Sequence, residues 1–502
     1  MLREFNWYHK FVSHKASNKS VYFVAIAFFT AFAVRAVPEL LMGSYISGFD
    51  QLGYYVPIVH NWIEQGANFW NITASAPLLY ALLVLTTKVG MSLVETLKLL
   101  APLLHGALAA SIYIYAYKSL NWSCKKSLFV ALCSTLYFIG LRASWDMLRV
   151  QLGLIFIFVA LIFLSLDDFK SRFFTFASIL LVVISNQYTA VIILSIILFR
   201  ILKHVINKER RQVIILTIIT IPSVILFALS MYANFIVSPN FLSKQINFPG
   251  VTENTWFGLF GFSSYLDLIL DTGLFVIFSY AFLFPLIIVG IRKLKNFEMG
   301  SWVSLGFVAA FSPFFFSISR YRWILLLIYP LSFYFVEGVS KIKNSSHKNY
   351  LKILGLILTI MSVSFVVLPA ESSFPYYGLF PYYVPTSMLQ NTVPLSDCPN
   401  LENALNWLNE YVDTNSCVIT HTAFYGWEKL CLKETIPIKS YGYGIPEDLA
   451  LTLSQEGFTH IFLIWWVNGS GLHGQKTVSG EFMEVYQSHK MVVYEYCPRL
   501  VA

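Results

Sequence analysis

The sequence predicts an all-α polytopic membrane protein of about eleven transmembrane helices, with a small extracytoplasmic α/β domain at its C-terminal end. Three observations carry that expectation. The 502 residues are 57% hydrophobic and 12% charged, against roughly 25% charged in ordinary soluble domains. Apolar runs long enough to cross a bilayer core, about 17 to 25 residues, recur from residue 20 to residue 369. Lysine and arginine gather in every second connection between those runs.

The expected spans are 20–42, 93–117, 127–143, 148–165, 172–186, 187–203, 212–233, 268–291, 299–318, 322–339 and 351–369. Six segments then share one side: the N-terminus and the connections 118–126, 166–172, 200–211, 292–298 and 340–352. They hold 21 of the 35 lysines and arginines, which makes that side the cytoplasm by the positive-inside rule. The net charge of +8 is thereby a topology signal, and no nucleic-acid partner is implied. The stretch SAPLLYALLVLTTKVG (75–90) is apolar enough to compete as a twelfth span, but counting it would invert every later basic connection. It is read as a helix lying in or dipping into the outer surface. The first span is a signal anchor, too long for a cleaved signal peptide and without a small-residue cleavage site after it. Everything beyond residue 369 then lies outside.

Residues 1–370 thus form the membrane domain, with a first outer loop at 43–92. A linker rich in proline and tyrosine occupies 371–397, with Pro375, Pro381, Pro385 and Pro394 arguing for an extended tether. Residues 398–502 read as the soluble domain. LENALNWLNEYV (401–412) has helical periodicity and PEDLALTLSQEG (446–457) starts like a helix; CVITH (417–421), HIFLIWWV (460–467) and MVVYEY (491–496) read as strands. Cys398, Cys417, Cys431 and Cys497 fall in this domain, where disulfides and free buried thiols are both chemically permitted. No Cys or His spacing suggests a zinc site, and there is no internal repeat, P-loop or GxGxxG.

Ionisable groups at membrane depth are costly and mark functional candidates. Most here fall near the expected outer ends of spans. Asp50, in GSYISGFDQLGYYVP (43–57), is the one charge between Glu39 and Glu64 and sits on a loop leaving the first span. Arg142, Asp146 and Arg149 share a helical face at i, i+4 and i+7. SNQYT (185–189) interrupts an apolar stretch. Lys244 lies in the outer loop 234–267, Asp267 and Asp271 mark that loop's end, and SRYRW (319–323) supplies Arg320 and Arg322. Structural roles compete for several of these. The spacing of Arg35–Glu39 and of Arg142–Asp146 suits local ion pairs. Arg320 and Arg322 alternate with Tyr321 and Trp323 as interfacial residues do. Asn186 and Gln187 suit a helix break, Asp267 and Asp271 a water-exposed helix start, and His421 a structural place in the soluble domain.

The order of these segments resembles the membrane glycosyltransferases of the GT-C superfamily, above all the relatives of protein O-mannosyltransferases and lipid-A aminoarabinose transferases. The resemblance rests on a signal-anchor span, an outer loop with GFDQLGYYVPIVHNWIEQG, a surface helix beginning APLLYALLVL, the paired short spans around LLVVISNQYTAVIILSIILF, and the tethered domain beginning ALNWLNEYVDTNSCVITHTAFYGW. Gln51 stands where many relatives carry a second acid, Ser75-Ala76-Pro77 replaces His-Pro-Pro, and the outer loops carry no DxD motif. The resemblance implies an inverting sugar transfer from a polyprenyl-phosphate donor to a glycan, lipid or protein acceptor. No cofactor besides the lipid-linked donor is expected, and the missing DxD motif weakens the case for a bound divalent metal.

The residues suit that chemistry on their own terms. A positioned carboxylate can take the acceptor's proton, and Asp50 is the candidate general base. Arginine pairs bidentately with phosphate and stays charged, which makes Arg142, Arg149, Arg320 and Arg322 the candidates for the donor phosphate, with Lys244 behind them. Glu39, Tyr54, Asp146 and Gln187 are the expected supporting residues. A transporter or flippase for a lipid-linked or small anionic solute is the alternative, yet it calls for two related halves and polar groups at the bilayer midplane. A non-catalytic scaffold with a sensing domain is the third reading; the charges converging on one side speak against it.

Overall fold

In hydrocarbon every backbone N–H and C=O needs a partner inside its own segment, so the long apolar runs become helices. The computed structural model describes residues 18–164, 166, 168–237, 265–312, 320–342, 345–413, 415–442, 444–469 and 478–497. Helix α1 (Asn18–Leu41) is followed by a π-helical turn at Gln51–Tyr55 and the short helices α2 (Val56–Glu64), α3 (Phe69–Ala74) and α4 (Leu78–Lys88). Next come α5 (Leu93–Lys118), α6 (Cys124–Leu136), α7 (Phe138–Asp146), α8 (Leu148–Leu164), α9 (Phe169–Ser185), α10 (Gln187–Ile206) and α11 (Arg210–Val237). The later helices of the apolar region are α12 (Tyr265–Tyr280), α13 (Phe284–Ile291), α14 (Phe297–Phe311), α15 (Arg320–Leu326), α16 (Ile328–Ser340) and α17 (Ser345–Val367).

The protein is a polytopic helical membrane protein, but helix length does not reproduce eleven spans. Among the described residues six helices are long and apolar enough to cross a bilayer, or eight if each of two bent pairs is one span. Those pairs are α6 with α7, bent by 59°, and α12 with α13, bent by 90°. The remaining three expected spans are α8 and α9, of 17 residues each, and α14, of 15. At 1.5 Å per residue they reach about 22 to 26 Å, short of a ~30 Å core. Helix α9 stops because Asn186 turns extended, at φ −165° and ψ 142°, and the end of the expected span 299–318 lies outside the described residues. Helix α4, with 11 residues, is about half the length needed to span.

Helix starts are set by polar caps: Ser123, Asp168 and Asn296 accept from Lys126 N, Ser171 N and Met299 N. Glycine permits a close helix contact. A Cβ on Gly290 would lie 1.8 Å from the Tyr334 carbonyl oxygen, and one on Gly338 would lie 2.0 Å from that of Leu286. Helices α13 and α16 therefore meet backbone to backbone, as small residues permit between membrane helices. In the basic connections Lys126 pairs with Glu337, and Arg200 with Glu298 at 2.9 Å.

Packing divides the chain into two compact units. One comprises Met1–Ala36, Asn68–Leu82 and Leu99–Val363; the other comprises Val37–Ala67, Leu83–Lys98 and Ser364–Ala502. The second unit carries the sheet. Its five strands are β1 (Ser416–His421), β2 (Ile438–Gly442), β3 (His460–Trp466), β4 (Phe482–Ser488) and β5 (Met491–Tyr496), in spatial order β2-β1-β3-β5-β4. Strand β1 is parallel to β2 and β3, while β5 is antiparallel to β3 and β4. Helices α18 (Cys398–Tyr411), α19 (Thr422–Cys431) and α20 (Pro446–Gln455) complete it. Cys417 and Ile419 pack with Ala450, Leu453, Ile461 and Leu463 in the core on the α20 side. All six cysteines are free thiols.

One acid inside this domain has no obvious match. Glu428, on α19, is fully buried, and neither carboxylate oxygen has a hydrogen-bond partner among the described residues. The nearby Thr420 hydroxyl donates instead to the His421 carbonyl, at 3.0 Å. Burial pushes the Glu428 carboxyl up from 4.5 to about 8. The folded state thus keeps a proton that the unfolded chain releases, so stability falls as pH rises from about 4.5 and levels off above about 8. The full loss across that window is about 5 kcal/mol, since a tenfold change in proton affinity is worth ~1.4 kcal/mol. Glu428→Gln is expected to raise the domain's unfolding temperature at pH 8 and to leave it nearly unchanged at pH 4.5. Thermal unfolding across that range measures it, and a variant that keeps the wild-type slope would contradict the assignment.

Candidate functional site

In the second unit the chain leaves α1 through a turn, with Gly43 at φ +63°, and enters the loop that carries Asp50. Glu39, in the last turn of α1, accepts from the Ser47 amide at 3.2 Å. Lys98 donates to the Gly43 carbonyl and, at 3.0 Å, to that of Tyr45. The linker supplies the other flank. The Gly48 amide donates to the Gln390 carbonyl at 3.1 Å, Ser47 Oγ to the Met388 carbonyl at 2.8 Å, and Asn391 Nδ2 to the Ile46 carbonyl at 3.0 Å.

Asp50 is 9% exposed and immediately precedes the π-helical turn Gln51–Tyr55. Such single π turns are frequently found at functional sites. Gln51, Leu52 and Tyr55 are buried, whereas Tyr54 is exposed, its ring 6.3 Å from that of Phe49. Helix α2 follows, started by Pro57. On it Glu64 meets His60 at 3.0 Å and Lys429 at 3.6 Å. The hydrogen bond from His60, aided by the Lys429 charge, holds the Glu64 carboxyl below the usual range.

In the first unit the cations differ in how their charge is matched. Arg142 Nη1 and Asp146 Oδ1 lie 2.5 Å apart, both buried, with the guanidinium 5.1 Å from the Trp145 ring centre. Arg320 Nη2 pairs with Asp271 Oδ2 at 2.7 Å, so Asp271, read from sequence as a water-exposed helix start, is an ion-pair partner. Arg322 donates to the Tyr321 hydroxyl at 3.1 Å and lies 5.7 Å from the Tyr188 ring centre. Arg149 is different. It is half-buried, lies 5.1 Å from the Tyr80 ring centre, and donates to the Tyr80 hydroxyl at 3.2 Å and more loosely, at 3.5 Å, to the Ser185 carbonyl. Among the described residues it forms no ion pair. Lys244 lies outside the described residues.

The SNQYT stretch organises this corner. Asn186 Oδ1 accepts from the amides of Tyr188 and Thr189 at 2.8 and 3.4 Å and starts α10. Gln187 Nε2 and Asn234 Nδ2 both donate to the Ala74 carbonyl, at 3.3 and 3.0 Å, satisfying the open end of α3. Gln187 thus serves a helix terminus. Ala76, before Pro77, adopts φ +50°, an uncommon state for a residue with a side chain. Tyr80, the linker residues Met388 to Asn391 and the π-helical form of the turn that carries Gln51 and Tyr54 were not singled out from sequence. Tyr80 alone had a signal there, as the tyrosine of APLLYALLVL. No three His, Cys, Asp or Glu side chains among the described residues are grouped to hold a metal ion.

The fold matches that of ArnT from Cupriavidus metallidurans, whose crystal structure holds undecaprenyl phosphate. The TM-score is 0.53 at 12% identity, over 96% of this chain and 98% of that one. The chain shares the fold of that ArnT structure over nearly its whole length. The oligosaccharyltransferase of Archaeoglobus fulgidus, in complex with Zn and sulfate, is similar at a TM-score of 0.49 and 12% identity, over 87% of this chain and 67% of that one. No protein-family model and no curated protein matches the sequence.

Removing the cap tests the local architecture. Asn186→Ala leaves two amides at the start of α10 without their acceptor and is expected to cost about 1 to 2 kcal/mol. Asn186→Asp should recover most of it. Thermal unfolding in detergent reads both, and an unchanged Asn186→Ala midpoint would refute the cap's contribution.

Proposed function

We propose that the protein is an inverting membrane glycosyltransferase. It moves a sugar from a polyprenyl-phosphate-linked donor to a glycan, lipid or protein acceptor on the outer face of the membrane. The N-terminus is cytoplasmic and the C-terminal domain extracytoplasmic, following the distribution of lysine and arginine. Asp50 takes the proton of the acceptor hydroxyl as its oxygen attacks the anomeric carbon. The bond from that carbon to the phosphate oxygen breaks, and its electron pair leaves with the polyprenyl phosphate. A fixed cation facing that developing charge lowers the barrier.

The observation that carries this reading is the state of Arg149. Asp146 and Asp271 match the charges of Arg142 and Arg320, whereas Arg149 is held by an aromatic ring, a hydroxyl and a carbonyl that leave its charge intact. A guanidinium so held suits the planar, bidentate recognition of phosphate. Arg322, 5.7 and 5.8 Å from the ring centres of Tyr188 and Tyr321, is the second choice, and Lys244 remains a candidate from sequence. The GT-C fold supports the reaction class, and the undecaprenyl phosphate held by the ArnT structure supports the same ligand class for this chain.

Purified protein assayed with a panel of polyprenyl-phosphate sugars tests the roles separately. Asp50→Asn is expected to lower kcat by roughly 100-fold or more with the donor KM little changed. Arg149→Ala should raise the donor KM and lower kcat/KM by about 10- to 1,000-fold, with Arg149→Lys recovering only part because it lacks the planar fork. Transfer undisturbed by Asp50→Asn would eliminate the base, and undisturbed kcat/KM in Arg149→Ala would eliminate the phosphate site.

A further inference from the structure

We infer that the C-terminal domain and its linker position Asp50, with Gly426 and Asn391 as the positioning residues. The inference rests on the proposed role of Asp50 as the base. The loop 45–55 is gripped on two sides, both within one compact unit. On one side α19 meets the π turn. A Cβ added to Gly426 would stand 1.8 Å from the Leu52 carbonyl oxygen and 3.2 Å from Leu52 Cγ, so the helix backbone lies directly on the turn, two residues past Asp50. Neighbours on α19 extend this contact: the Trp427 ring is 5.6 Å from that of Tyr45, and Lys429 pairs with Glu64 at 3.6 Å. From α18, Glu402 accepts from the Tyr45 hydroxyl at 2.8 Å.

On the other side the linker backbone lies along residues 46–48. Asn391 is fully buried and fixes both pieces, since its Nδ2 donates to the Ile46 carbonyl at 3.0 Å while its Oδ1 accepts from the Val393 amide at 2.9 Å. The Gln390 carbonyl takes the Gly48 amide, and Thr392 Cγ2 would be 3.5 Å from a Cβ on Gly53. Glycine inside a helix is unfavourable, and α19 is regular at Gly426, so conformation does not call for it there. Close approach to Leu52 does. A catalytic group needs placement to within about half an ångström, and misplacement by ~1 Å can cost about 100-fold in rate. Residues 43–48, which lead to the acid, form no helix or strand of their own to supply that precision, and the domain supplies it.

The test uses the full chain, wild type against Gly426→Ala and Asn391→Ala, with Gly378→Ala as control because a Cβ there meets open space. Hydrogen exchange reads the loop and transfer kinetics read the acid. Both variants should speed exchange at the Ser47 and Gly48 amides while β1 and β3 keep their protection. Their kcat should fall by about 10- to 100-fold, the donor KM should stay within about twofold, and the acid limb of the kcat–pH profile should move. The control should match wild type. Loop amides that stay protected in both variants, or a freed loop with kcat and pH profile intact, would overturn the inference. Where Gly426→Ala also loses protection in β1 and β3, Asn391→Ala decides. Inactive Asp50→Asn beside fully active Gly426→Ala and Asn391→Ala would reject positioning and leave the transferase reading standing. Wild-type protein that transfers no sugar would reject the transferase reading, and loop exchange would still decide whether the domain holds the loop.

Discussion

A backbone amide or carbonyl left without a partner in hydrocarbon costs several kcal/mol, and this constraint governs where the chain departs from helix. Each departure that bears on the candidate site brings its own satisfaction. At Asn186 the side chain caps the next helix, and at Ala74 two side-chain amides close the last carbonyl. At the bend between α6 and α7, Tyr137 is extended and its hydroxyl donates to the Ser279 carbonyl, tying one bent helix pair to the other. The polar groups that sequence reading marked as chemical candidates therefore include some whose task is backbone satisfaction. Geometry separates them: Gln187 serves a helix end, whereas Arg149 keeps its charge.

The charges follow the same logic. A buried guanidinium is tolerable when it is paired or well hydrogen-bonded, and Arg142 with Asp146 and Arg320 with Asp271 meet that need within the first unit. Arg149 meets it without an acid, through Tyr80 and the carbonyl before the α10 cap.

The legible parts of the sequence were those where one local pattern determines the answer. Apolar length gave the helical segments, and the i, i+4 spacing anticipated the Arg142–Asp146 pair. The bends in α6–α7 and α12–α13 were hidden because a continuous apolar run looks alike whether straight or broken. In the soluble domain, strands β1, β3 and β5 read clearly because they lie inside the sheet. Strands β2 and β4 did not, and they are its two edges, with polar and partly exposed residues that blur the alternation. At the candidate site Asp50 stood out by its isolation. The difference between Arg149 and Arg320 did not, because it depends on Asp271, 49 residues from Arg320 in the chain.

The grip on the acidic loop has a consequence for biogenesis. Asn391 and Glu402 lie 345 and 357 positions after the residues they hold, so the ribosome makes the loop early and its holders near the end. A nascent or prematurely terminated chain carries the acid without the parts that aim it. Under the proposed function, a copy gains its activity only once this last segment has folded against the loop, and half-made copies stay inactive.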